Sequence, residues 1–392
     1  MDFRYNRAWA EIDLDAISNN VREVRRITKP NAEIMGIVKA DGYGHGAMEV
    51  ANTLIDNGVS RLGVAILDEA IQLRKNGIEV PILVLSYTDP RRAKELIKYD
   101  ITQTIYSHEL AKYLSDVALA ENATIKVHVK VDTGMGRVGF LPGYSAVKDV
   151  MKISSLKGLI VEGLFTHFAQ ADTEDRTYTR NQFEMFMSIV NELKRIGIHI
   201  PILHVANSGA IVQYPSMHLD MVRAGIILYG HYPSEYTRKY DLNLKPAMTL
   251  KAGVNMVKTV EKDTSISYGS TYRTDAKRTI ATITIGYADG YSRLLSGKSK
   301  VLINGEYAPI VGRICMDQCM ADVTDFEKKP EIGDEVVLFG SQMNKSITCE
   351  ELADIMGTIN YEIISLVGKR VPRIYIKNGE IINVLNYICP DN

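Results

Sequence analysis

The sequence predicts an α/β fold, a (β/α)8 TIM-type barrel followed by a mostly β C-terminal domain. Three observations predict it. Short aliphatic runs alternate with helically spaced stretches over the first two-thirds of the chain, about eight such units stand in series, and the texture turns to strand-like alternation after Lys245. The runs are EIMGIVK from Glu33, RLGVAI from Arg61, PILVL from Pro81, ITQTIY from Ile101, TIKVHVKVD from Thr124, LIVEGLFTHF from Leu159, PILHVAN from Pro201 and HLDMVRAG from His218. Between them lie helical segments such as GAMEVANTLIDNG. There Met48, Val50, Ala51, Leu54 and Ile55 share one side, and Gly58 is a stop. An open doubly wound sheet would carry GxGxxG after its first strand, and this chain has KADGYGHG there instead.

Beyond Lys245 the segments KAGVNMVKTV, RTIATITIGYADG, KVLINGEYAPIVG and DEVVLFGS read as strands joined by turns. The expected division is a barrel over residues 11–243, holding the cofactor, and a β-rich domain over 244–392 with which residues 1–10 pack. A length of 392 residues also exceeds what one ordinary core accommodates. Lys plus Arg total 46 against 47 Asp plus Glu, so no charge excess points to nucleic acid or a membrane surface. The cysteines Cys315, Cys319, Cys349 and Cys389 form neither a disulfide framework nor a zinc spacing, and the first residues, MDFRYNRAWAEIDLDAI, read neither as a signal peptide nor as a membrane span. A cytoplasmic enzyme without metal is the expectation.

In a barrel of this type the active site lies at the C-terminal ends of the strands. Lys39 follows the first strand. Lys130, Asp132 and Arg137 follow the fifth, His167 the sixth, His204, Asn207 and Ser208 the seventh, and Arg223 the eighth. A lysine partly withdrawn from water at a strand end loses its proton more easily and forms a Schiff base with an aldehyde. A solvated loop lysine is the ordinary alternative, against which stand Tyr43 and the glycines Gly42, Gly44 and Gly46, which suit close backbone approach to a ligand. Loops after the last two strands often hold phosphate, and here they carry Asn207-Ser208-Gly209 and Gly225-Ile226, although Asn-Ser-Gly also reads as a plain helix cap. Arg223 reads either as a guanidinium against a pyridine nitrogen, which it would keep unprotonated, or as a structural ion pair with Asp220. His167 reads as a core histidine or as a link to a catalytic tyrosine. Arg137 suits a carboxylate or phenolate. The β domain adds SISYGSTY around Tyr268, GRICMDQCM around Met316 and INYEI around Tyr361.

Together VKADGYGHG, VKVDTGMGRVG, THFAQAD, HVANSGA, VRAGIILYG, SYGSTY, GYADGYSR, GRICMDQ and NYEI, in this order over nearly the whole chain, resemble bacterial alanine racemase. The resemblance implies a head-to-tail homodimer that interconverts L- and D-alanine and supplies D-alanine for peptidoglycan. It implies Lys39 as the carrier of pyridoxal 5'-phosphate (an internal aldimine) and as one base, with Tyr268 of the partner subunit as the other. It places Tyr43, Asn207, Ser208, Gly225, Ile226 and Tyr361 at the cofactor, mostly at its phosphate. Arg223 falls at the pyridine nitrogen, with His167 joining it to the tyrosine. Arg137 falls near the phenolic oxygen and the substrate carboxylate, Met316 of the partner also at that carboxylate, and Lys130 at a position carbamylated in some relatives. Ala224 stands where many relatives have proline. A racemase of another small amino acid such as serine is the nearest alternative. A decarboxylase of the same architecture should place an acid where Arg223 stands, and a non-catalytic cofactor carrier would leave the β domain without a purpose.

Overall fold

A computed structural model describes residues 7–389. Within it the chain forms two compact units. One comprises Ala16–Gly42 and Ala47–Lys245; the other comprises the N-terminal segment to Asp15, Tyr43–Gly46 and the chain from Pro246. These borders differ from the expected ones by a few residues at each end. The difference at the start has a clear cause: the first strand, β1 (Ala8–Asp13), is hydrogen-bonded into the β unit along its whole length. Of residues 1–10, assigned to the β domain from the sequence, residues 1–6 lie outside the described residues.

The first unit is the barrel. Its strands are β2 (Glu33–Ile37), β3 (Arg61–Val64), β4 (Ile82–Val84), β5 (Thr102–Ile105), β6 (Ile125–Lys130), β7 (Leu159–Phe165), β8 (Ile202–His204) and β9 (Met221–Ala224). All eight runs singled out in the sequence contain one of these strands, and every paired neighbour is parallel, in the order β8-β7-β6-β5-β4-β3-β2-β9. They read as nearly unbroken aliphatic runs because helices cover the outside while side chains fill the inside. Between β8 and β9 no ladder forms. The seam is bridged singly, by Asp220 N–H to the Leu203 carbonyl (3.1 Å), Leu203 N–H to the Asp220 carboxylate (2.9 Å) and Arg223 N–H to the Ala206 carbonyl (2.9 Å).

Between β6 and β7 the register slips after Val127, which faces Val161, so that His128 faces Gly163 and Glu162 is the extra residue. Gly163 is small for a reason. A methyl group built on it would collide with the His128 imidazole, which is buried and hydrogen-bonded at both nitrogens.

The second unit is built on a 10-stranded sheet. Its spine is β10 (Met248–Val260), antiparallel to β1, to Arg278–Ile283 and to Glu335–Gln342, while β1 runs parallel to Arg373–Lys377. Arg373 is buried and donates to the carbonyls of Gly44 (3.0 Å), Val367 (2.6 Å), Gly368 (2.6 Å) and Val371 (2.5 Å), which ties Tyr43–Gly46 to this unit. Gly46 sits at φ +92° with the Tyr375 hydroxyl where a Cβ would be, so no other residue fits there. Among the described residues, no helix is long and apolar enough to cross a membrane.

Gly163→Ala should lower stability by about 1–3 kcal/mol, because the rigid His128 ring has nowhere to move. A chain of this length should then lose a few degrees in Tm, on the order of 2–4 °C per kcal/mol. Thermal unfolding at neutral pH checks this; an unchanged Tm would mean that the ring gives way freely.

Candidate active site

The C-terminal ends of the barrel strands gather the reactive groups. Lys39 closes β2, and the backbone after it is unusual: Ala40, Asp41, Gly42 and Tyr43 all have φ between +52° and +60°, a full turn of left-handed helix. For residues other than glycine this conformation costs roughly 1–2 kcal/mol each, so the turn must be held. Three contacts hold it. The Gly42 N–H donates to the Val38 carbonyl (2.9 Å), the Asp41 carboxylate accepts from Ala47 N–H (2.9 Å), and the Glu69 carboxylate accepts from Ala40 N–H (2.6 Å). Glu69 also accepts from the amides of Ala65 (2.7 Å) and Ile66 (3.2 Å), so one side chain clamps the loops after two neighbouring strands. Burial, and then the nearby charge of Arg137, lower the Lys39 pKa, while Glu69 acts in the opposite sense.

Lys130 ends β6 and is buried. Burial first, then Arg137 and Arg223, bring its pKa down to about 8, against the pull of Asp132. The Gly-rich loop that follows folds back on itself, because the Asp132 carboxylate collects the N–H groups of Gly134 (3.0 Å), Gly136 (3.0 Å) and Arg137 (2.8 Å). Its closing bonds run from Asp132 N–H to the Phe140 carbonyl and from Phe140 N–H to the Lys130 carbonyl, each 2.9 Å. Arg137 thus sits exposed at the tip of a loop fixed from within.

Arg223, on β9, is the buried centre. Its guanidinium donates to His204 Nδ1 (2.9 Å), His167 Nδ1 (3.1 Å) and the carbonyls of Thr166 (2.9 Å), His204 (3.1 Å) and Val205 (3.1 Å). The ion pair with Asp220 does not form; that carboxylate caps the backbone of β8 instead. Burial, and then Arg137, lower the Arg223 pKa. A guanidinium surrounded by acceptors alone stays protonated all the same. Since it cannot accept, both imidazoles must offer a lone pair at Nδ1 and carry their proton at Nε2. Burial and the adjacent Arg223 charge hold the pKa of both His167 and His204 well below the usual histidine value, so both rings are neutral at pH 7. Phe165 forms a plate beside His204, which stacks on it at 4.6 Å, with Arg223 at 5.4 Å and Lys130 at 5.7 Å from its centre.

Asn207 caps the short helix Ser208–Gln213 by accepting from Ala210 N–H (3.1 Å), so its cap reading holds, and its amide donates to the Phe168 carbonyl (3.3 Å). The buried Ser208 hydroxyl accepts from Gly225 N–H (3.0 Å), which leaves the hydroxyl proton to donate elsewhere. Gly225 precedes the buried turn Ile226–Tyr229. In the β unit, Tyr43 and Tyr361 stand 6.2 Å apart, ring to ring. Tyr268 and Met316 are surface residues of that unit, 70% and 52% exposed. Sequence reasoning overlooked Glu69, His128 and Glu162. His128 had a usable signal, since it lies two residues before Lys130 on a strand and so faces the same side.

Two family models match the chain, the alanine racemase N-terminal domain over residues 12–233 and the alanine racemase C-terminal domain over residues 247–375. An alanine racemase of Clostridium perfringens is 53% identical over 388 residues, covering 99% of this chain and 100% of that one. Among solved structures, an alanine racemase of Clostridium difficile superposes with a TM-score of 0.94 at 44% identity, covering 98% of this chain and 99% of that one. A Bacillus anthracis alanine racemase with bound L-Ala-P gives a TM-score of 0.93 at 39% identity and 98% coverage of both chains.

The low Lys130 pKa is open to measurement. After reductive methylation with 13C-formaldehyde, the cofactor-free protein should show one methyl-lysine resonance titrating near pH 8, absent from Lys130→Arg. Surface lysines should titrate near ~10.4. Titration of every resonance near that ordinary value would remove the cationic crowding inferred here.

Proposed function

Since this chain belongs to the alanine racemase family, we propose that it interconverts L- and D-alanine with pyridoxal 5'-phosphate held at the barrel mouth. The observation that carries the reading is the convergence of a lysine of lowered pKa with three further cations. Lys39, Lys130, Arg137 and Arg223 press on one another's charge, with the Asp132 carboxylate drawing on Lys130 and the Glu69 carboxylate on Lys39. Such a set fits a ligand that brings a phosphate and a phenolate. The Ser208 hydroxyl, with its proton to give, suits the phosphate, beside the turn that begins at Gly225 and Ile226. Asn207 fixes the Ser208 turn, and the family resemblance assigns Tyr43 and Tyr361, which pair in the β unit, to the same end.

When bound, pyridoxal phosphate supplies an aldehyde for an amine and a ring that draws electrons from the substrate Cα–H bond. Arg223 is donor-only, so a ring nitrogen against it stays unprotonated, which favours simple proton removal and return over chemistry that needs a strong electron sink. A decarboxylase reading would need an acid in that place. Lys39, whose pKa burial and then the Arg137 charge lower, takes the Cα proton on one face. Tyr268 of a second copy serves the other face; its 70% exposure in one chain is what a borrowed residue requires. His167, fixed with its proton on Nε2 by Arg223, then donates to that phenol oxygen and favours the tyrosinate. Arg137, and Met316 of the second copy, take the substrate carboxylate. Lys130 is primed for carbamylation, since its amine near pKa 8 is free to add carbon dioxide, and the resulting anion would neutralise part of the cluster. The active unit is a homodimer in the cytoplasm, where the four free cysteines stay reduced, and its D-alanine goes to peptidoglycan.

Purified protein with pyridoxal phosphate and L-alanine in deuterated water should yield D-alanine carrying deuterium at Cα, read by chiral separation and mass analysis. No exchange and no D-alanine from protein that binds the cofactor would refute the alanine reading and leave serine or another small amino acid to be tried. Lys39→Ala should lower turnover by roughly 10³-fold or more, as expected for loss of a positioned acid–base group. Tyr268→Phe should cripple proton abstraction from L-alanine while cofactor stays bound. Mixing these two inactive variants should restore part of the activity through hybrid dimers. If subunit exchange is demonstrated and nothing returns, the sites are not shared.

A further inference from the structure

A barrel of this kind usually fills its interior with branched apolar side chains. Here a chain of polar groups runs through it. From Arg223 the hydrogen bonds pass to His204 Nδ1 (2.9 Å), from His204 Nε2 to His128 Nδ1 (2.8 Å), and from His128 Nε2 to the Glu162 carboxylate (3.1 Å). Glu162 meets Arg61 (3.2 Å), and Arg61 meets Glu33 (2.7 Å), whose side chain is 40% exposed. His128 and His204 are buried, so each missing partner would cost a full desolvation penalty.

The direction of this chain is fixed by its ends. Arg223 only donates and an ionised Glu162 only accepts, so each imidazole must accept at Nδ1 and donate at Nε2. No other arrangement satisfies all four groups. The groups facing the two rings agree with it: Arg223, His128 and the Phe165 plate around His204, and Glu162, Arg61 and His204 around His128. The hydrogen bond from His128, with the Arg61 charge, holds the Glu162 carboxyl down at about 2, and burial lowers the His128 pKa against the pull of Glu162. Glu162 is the extra residue of β7, placed between Val161, which faces Val127, and Gly163, which faces His128.

We propose that His128 and Glu162 are positioning residues for Arg223, which act through His204 by fixing its tautomer and so hold the guanidinium in place and charged, far from the reacting atoms. The proposal rests on the reading that Arg223 faces the cofactor ring. Its physical content is that a buried cation at one end of the barrel is matched, through two oriented neutral rings, by an anion near the other end.

Ring-15N-histidine NMR of the full-length protein, loaded with pyridoxal phosphate, tests the direction. Both His128 and His204 should show the Nε2–H tautomer, unchanged from pH 5.5 to pH 8.5. Cofactor dissociation constants and the pH dependence of the bound cofactor's absorbance test the consequence in Glu162→Leu and Glu162→Gln. The leucine variant, which removes the acceptor, should bind cofactor roughly tenfold more weakly and lose the fixed tautomer. The glutamine variant, isosteric and still an acceptor, should keep the tautomer and lose about threefold in affinity. Should the leucine variant not fold, the glutamine variant decides alone. Either ring found as Nδ1–H or titrating in the wild-type protein overturns the proposal. So do a cofactor affinity and an absorbance profile unchanged in the variants. A wild-type protein that binds no pyridoxal phosphate would sink the cofactor reading instead, with the tautomers still read from the same spectra.

Discussion

Arg223 is a cation almost without water, and much of the barrel's polar architecture follows from that condition. A guanidinium offers donors and no acceptor, so everything that touches it must accept. The ends of β7 and β8 answer with the carbonyls of Thr166, His204 and Val205. Two histidines answer with ring nitrogens, and in doing so give up their choice of tautomer. One of these rings, His204, donates its remaining N–H to His128 inside the barrel. The same charge, with Arg137, also lowers the affinity of Lys130 for its proton, so that a structural requirement and a chemical one share a single residue.

The fold was legible because a barrel of parallel strands leaves a simple trace. Each strand is sheltered on both faces and so reads as an aliphatic run, and the helices between carry their own period. All eight runs singled out contain a strand. The placement of the candidate residues was legible for a related reason. A lysine or arginine at the end of an apolar strand stands out, and the structure places Lys39, Lys130 and Arg223 at the same ends of their strands. What could not be read was conformation. Nothing in ADGY announces four consecutive residues of left-handed backbone, of which only Gly42 is glycine. Nor does DTGMGR show that Asp132 spends its carboxylate on its own loop.

The register slip in β7 was also hidden, because a bulge adds one residue without altering composition. Nothing in LIVEGLF or IKVHVK therefore marked Glu162 and His128 as partners of one another. The unit borders were blurred for another reason. Short segments join a unit by hydrogen bonding rather than by sequence position, as Tyr43–Gly46 does through Arg373. A continuous partition of the chain cannot represent that.

The left-handed turn after Lys39 has a consequence for the order of events during synthesis. One of its anchors, Asp41, is local, but Glu69 belongs to the next strand–helix unit. Until that unit has docked, the turn lacks a restraint that repays part of its backbone strain, and the segment relaxes to ordinary loop. A nascent chain at that stage presents Lys39 as a hydrated, protonated amine with little reactivity toward the aldehydes of its surroundings. The burial that lowers the Lys39 pKa is complete only in the finished barrel, so the lysine of a ribosome-bound chain keeps the proton affinity of an ordinary surface lysine.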